Sequence, residues 1–173
     1  LNKFNVDINA VIIKPLYMGM LINIFFPMTL LIIAYFLSQS SGQDVMEMSS
    51  KWDVLAWVLL AVAVADGVIA IIMKHKQFMV PLIRSETTFE EDLKAAAFRI
   101  SITCYAMTTA IAVYGFVLFL ISGDFRTMFL FILMSFIAFQ IVKPRRGFIE
   151  KVIEVQERHL SEGRRLGGSV GSN

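Results

Sequence analysis

Asp66 is the one formally charged side chain in the apolar run Val54–Met73. A carboxylate at bilayer depth costs several kcal/mol unless it is protonated, paired or facing a wet interior. Three roles fit such a group. It can be hydrogen-bonded glue between helices, a titrating site for a proton or cation, or a docking charge met by a cation from a partner subunit.

Other polar residues fall at the same depth. Asn23 lies nine residues beyond Lys14, Asp66 eight before Lys74, Thr108 and Thr109 nine and ten beyond Arg99, and Ser135 eight before Lys143. At the helical rise these positions sit about 12–15 Å in, near the middle of a hydrocarbon core of roughly 30 Å. Asp66, Thr108, Thr109, Asn23 and Ser135 are therefore the candidate ion or proton site. Ser, Thr and Asn at that depth also serve as interhelical hydrogen-bond partners.

The elements that carry these residues are apolar helices. The chain has 173 residues, 57% hydrophobic and 17% charged, with mean hydropathy +0.68; soluble domains hold about 45–50% apolar and 25% charged residues. The excess falls in four blocks, about 16–37, 53–73, 100–121 and 125–142. A span needs roughly 20 apolar residues. The expected fold is an all-α membrane protein, a four-transmembrane-helix bundle over 16–142. Segment 1–15 precedes it as a cytoplasmic or interfacial element ending at Lys14-Pro15. A C-terminal cytoplasmic amphipathic helix over 143–165 and a flexible Gly/Ser tail over 166–173 follow it. The first apolar block is too long for a signal-peptide core of about 7–15 residues.

Segments 1–15, 74–99 and 143–173 hold every Lys and Arg except Lys51 and Arg126. The positive-inside rule puts both termini and the middle loop in the cytoplasm. The loops Ser38–Lys51 and Ser122–Phe125 then face outward, and the expected location is a bacterial inner membrane. Tyr17, Tyr35, Trp52 and Trp57 stand near span ends, as interfacial aromatics do.

Within the spans, Pro27 withholds a donor from the Asn23 carbonyl and predicts a kink. Ala63/Gly67 and Ala61/Ala65 are small-xxx-small pairs that let backbones approach. They predict spans two and three at the centre, with the Phe-rich fourth span facing lipid or a partner. Thr88-Phe89-Glu90-Glu91 fits a capping box, from which a helix runs unbroken into the third span. After Pro144, Phe148, Ile149, Val152 and Ile153 recur at helical spacing opposite Glu150, Glu154 and Glu157. That apolar stripe requires cover, and a partner interface is the expectation.

Residues 106–117, Ala-Met-Thr-Thr-Ala-Ile-Ala-Val-Tyr-Gly-Phe-Val, resemble the carboxylate-bearing helix of rotary ATP synthase proteolipids, the c subunits, which reads Ala-Leu-Ala-Glu-Ala-Ile-Ala-Ile-Tyr-Gly-Leu-Val. Thr109 stands where that family carries its ion-binding Glu, and the family's Gly-rich partner helix is absent. The resemblance implies a diverged four-helix relative that kept the packing and lost the family's site. Asp66, on the adjacent span, is the residue that could substitute.

No phosphate-binding loop, zinc-protease motif or nucleophile elbow occurs. Cys104 is the single cysteine, so neither an intrachain disulfide nor a cysteine metal cluster is expected. His75 and His159 lie outside the apolar blocks, which speaks against a haem pair. No cofactor or metal is implied. The Lys143–Arg146 strip reads as a topology signal and anionic-lipid contact rather than a nucleic-acid site. The sequence thus predicts a non-catalytic membrane subunit that partners the lipid bilayer and other membrane subunits or copies of itself. A proton- or ion-translocating subunit using Asp66 is the alternative.

Overall fold

The computed structural model describes residues 6–40 and 49–166. Residues 167–173 of the expected tail, much of the expected outward loop Ser38–Lys51, and the Trp52 side chain lie outside that description. Helices α1 (Ile8–Met20) and α2 (Phe26–Ser40) are joined by a π-helical turn, Leu21–Phe25. They are followed by α3 (Ser49–Met79), α4 (Phe89–Ser122), α5 (Phe125–Val142) and α6 (Arg146–Ser161). No strand occurs among the described residues. Four helical stretches are long and apolar enough to cross a membrane: Ile8–Gln39, Val54–Met79, Phe89–Ser122 and Phe125–Val142.

The first helix starts earlier than its sequence suggests. Asp7 caps it, its carboxylate accepting from the Asn9 and Ala10 amides at 3.0 and 3.3 Å. Pro15 is then an interior residue of α1, so Lys14-Pro15 does not end the N-terminal segment. The helix departs from regular α geometry just before Pro27. The missing N–H of Pro27 leaves the Asn23 carbonyl without an α-helical donor, and the backbone answers with the π turn immediately before it.

Helix α4 is the axis. It packs against α1, α2, α3 and α5, and half of its most apolar window is buried, against 28% for α5 and 11% for α3. The expectation of spans two and three at the centre and a peripheral fourth is corrected: α5 is the tighter partner and α3 the most open helix. The cause is steric. Gly115 of α4 admits Phe131 of α5 so closely that an added Cβ would stand 2.5 Å from the Phe131 Cβ. The short turn through Gly123, in the left-handed region at φ 71°, fixes α4 and α5 as an antiparallel hairpin. Ala61 and Ala65, by contrast, are exposed.

The start of α1, the ends of α3 and α5, the start of α4 and all of α6 share one apolar core at one end of the molecule, where Val11, Phe78, Ile83, Leu93, Val142 and Ile153 are buried. This core corrects the partner-interface expectation for α6. Ile149, Val152 and Ile153 are fully buried within the chain. Phe148 packs edge-on to Phe78 and His75, at 5.3 and 5.2 Å between centroids. Pro81 turns the 80–88 segment across α6 and supplies the missing cover. Burying each such side chain contributes about 1.5–3 kcal/mol.

Polar groups lock this cover in place. Gln156, with no exposed surface, accepts from the Leu82 amide at 2.8 Å and donates to the Phe78 and Val80 carbonyls at 3.1 and 2.9 Å. It thereby satisfies backbone groups that Pro81 strips from the end of α3. Gly163, at φ 73°, closes α6 in a Schellman motif, with Arg164 N–H bonded to His159 O and Gly163 N–H to Leu160 O.

The capping box does not form. Thr88 holds the N-cap position of α4 without a side-chain cap bond. Its hydroxyl instead donates to Asp92 at 2.9 Å, and the same carboxylate oxygen accepts the Arg84 amide at 2.9 Å. A carboxylate one turn into the helix outcompetes Glu91 because it also ties down the preceding loop. The expected continuity of α4 from this point into the apolar span does hold.

Candidate functional site

Four of the five predicted site residues meet. The π turn presents Asn23 to α4, where its side-chain oxygen accepts from the hydroxyls of Thr108 and Thr109 at 2.7 and 2.9 Å. Its amide donates back to the Gly19 carbonyl at 3.3 Å. Ser135 of α5 donates to the Thr108 carbonyl at 2.7 Å. All four side chains are buried. The cluster is neutral and mutually satisfied. Its chemistry is that of an adhesive between α1, α4 and α5, with hydrogen bonds worth about 0.6 kcal/mol each between membrane helices.

Asp66 stands apart from it. The Asp66 carboxylate accepts from the Tyr114 hydroxyl at 2.7 Å, and both residues are half-buried. The depth expectation and the outcome are reconciled by geometry. Cys104 Sγ reaches the Ala70 carbonyl at 3.6 Å, which sets the antiparallel register of α3 on α4. One turn along, Asp66 is level with Thr108. Helical side chains lean toward the N-terminus, so the long Tyr114 side chain covers that same level. Depth is shared, but azimuth is not: Thr108 and Thr109 turn toward α1, while Tyr114 turns toward α3. Tyr114 was not anticipated from the sequence; a phenol about one and a half turns beyond the threonine pair was the available signal.

Along α3 at Gly67 runs a groove of about 210 Å³ between α3 and α5, with Ala63, Val64, Gly67, Val68, Met134 and Ile137 among its walls. It exists because Gly67 has no side chain and nothing lies within 4 Å of where its Cβ would be. No polar side chain lines it.

Lys74 is the second residue whose setting the sequence did not disclose. Counted as a topology signal, it is instead 8% exposed. Its ammonium donates to the Lys143 carbonyl at 3.1 Å and sits 4.6 Å from the Phe148 ring centroid. It ties the ends of α3 and α5 to the start of α6, a cation held by a carbonyl dipole and an aromatic face.

Cys104 is buried and is not in a disulfide. His159 Nε2 lies 2.9 Å from the Met79 carbonyl. Among the described residues no group of three or more His, Cys, Asp or Glu side chains is placed to hold a metal ion. No family model, curated protein or solved structure matches this chain. The class that the structure itself defines is an all-helical protein with four helices long and apolar enough to cross a membrane.

Proposed function

We propose that this chain is a non-catalytic integral membrane subunit that assembles side by side with other membrane subunits or with copies of itself. The carrying observation is α3. Its apolar window is only 11% buried, yet it bears a half-buried carboxylate, exposed small residues and the groove at Gly67. Lipid covers an apolar face at no cost but offers nothing to a carboxylate. A protein helix seated on α3 covers both, and small residues let it come close.

Proton or ion translocation through Asp66 remains the second reading, supported by the likeness of 106–117 to the proteolipid helix. It needs a wet path to the carboxylate. The groove at Gly67 is lined by apolar side chains alone and Asp66 is not among them, which favours docking over conduction.

Photo-crosslinking tests the docking reading. A benzoylphenylalanine at Val64 or Val68 should yield protein adducts in native membranes, while one at Phe129 of α5, also outward-facing, should yield lipid adducts. Lipid adducts alone at both α3 positions would contradict it.

Both termini and the middle loop belong in the cytoplasm on this reading. Its support is that the basic segments converge on the end where α6 packs. A cysteine at Gln43 should be labelled by an impermeant maleimide from outside and one at Ser85 protected. The reverse pattern would invert the topology.

A further inference from the structure

At the basic end, α4 presents Asp92, Ala95, Ala96 and Arg99 on one face, at helical spacing. The two alanines leave a trough that larger side chains would fill. Leu82, Arg84 and Leu166 wall it, enclosing about 180 Å³. The walls are fixed by backbone bonds: the Arg84 amide to Asp92 at 2.9 Å and the Leu166 amide to the Ile83 carbonyl at 2.9 Å.

The charges in this pocket are unbalanced. Neither the Arg84 nor the Arg99 guanidinium forms an ion pair among the described residues. The one carboxylate present, Asp92, spends an oxygen on the Thr88 hydroxyl and the Arg84 amide, so it orients the loop rather than neutralising an arginine. Two arginines without an ion pair among the described residues line one small pocket, and a guanidinium binds phosphate bidentately. Arg99 immediately precedes the apolar stretch that begins at Ile100. On the membrane reading the pocket opens at headgroup level, where basic pockets hold anionic lipids.

We propose that the Arg84–Arg99 pocket binds a phosphate group, supplied by an anionic lipid headgroup or by free phosphate. The apolar rim of Leu82 and Leu166 suits the glycerol side of a headgroup better than bulk water.

Native mass spectrometry of the full chain, released from phosphatidylcholine nanodiscs doped with phosphatidylglycerol, provides the test. Wild type should retain phosphatidylglycerol selectively. R84Q/R99Q should lower that retention roughly tenfold, since charge-assisted hydrogen bonds are lost. A95L, which fills the trough and leaves every charge in place, should lower it comparably. K151Q, an exposed charge on α6 away from the pocket, should not. Both arginines and Ala95 are exposed, so these variants spare the core. Titration with inorganic phosphate against chloride at equal ionic strength separates the sources. Displacement of lipid by phosphate assigns the pocket to free phosphate, and retention assigns it to the lipid; either upholds a phosphate site. Unselective retention by wild type with no competition by phosphate, full retention by A95L, or an equal loss in K151Q would each overturn the proposal.

Discussion

Gly115→Ala should destabilise the protein by about 1–3 kcal/mol, the range for overpacking a fitted interface, and Gly115→Leu should prevent the α4–α5 hairpin from closing. The new Cβ would lie 2.5 Å from the Phe131 Cβ and 3.1 Å from the Met128 carbonyl oxygen. Those atoms belong to the partner helix at its closest approach, not to the end of a flexible side chain. Relief therefore requires moving α5 as a body, which would strain Phe131 in its contact with Leu118 and Ile111 and the Ser135 hydrogen bond to Thr108. Unfolding in mixed detergent micelles reads the loss. Gly67→Ala is the internal comparison, because its Cβ enters open space. Helix propensity alone should leave that variant as stable as wild type or more so. If Gly115→Ala is equally harmless, the close packing of α4 on α5 is not what holds the bundle.

Gln156→Ala should cost about 2–4 kcal/mol, from a buried amide, a buried carbonyl and a part-buried carbonyl left without their partner. The effect should be local as well as global. Hydrogen exchange at the Leu82 amide, which bonds only to the Gln156 side chain, should accelerate far more than exchange in mid-α4. Gln156→Glu should be no rescue. It keeps an acceptor for Leu82 but places a carboxylate against the Phe78 and Val80 carbonyls, to which the amide donates. Unchanged exchange at Leu82 in Gln156→Ala would mean that the 80–88 segment is held by apolar contact alone.

These two sites mark the boundary of what the sequence discloses. Helix existence was legible because hydropathy is a one-dimensional property, and α4 and α5 fall where their apolar runs fall. Ends were less so. Lys74 and Lys76 look like the end of a span, yet α3 continues to Met79, since nothing about a lysine stops a helix and Pro81 is the first residue that does. Level along the bundle was legible too. Asn23, Thr108, Thr109 and Ser135 share a level and meet, because similar counts along neighbouring helices give similar heights. Azimuth was not. It depends on which helix lies beside which face, and that depends on Gly115 and Phe131 fitting together across α4 and α5. The partner of Asp66 was missed for that reason. The cover over α6 was missed for a different one: a loop broken by proline reads as polar punctuation, whereas Phe78, Leu82 and Ile83 around Pro81 form half of a core.

On the proposed reading, the open face of α3 is covered by protein in the native membrane. The most direct test is the protein mass of the particle extracted in mild detergent, by light scattering with the detergent contribution subtracted. A lone chain has a mass of 19.5 kDa. Wild type should give a larger, discrete protein mass, falling to that of one chain when Val64 and Val68 are both replaced by tryptophan to block the α3 groove. A wild-type particle of a single chain, extracted intact and monodisperse, would contradict it.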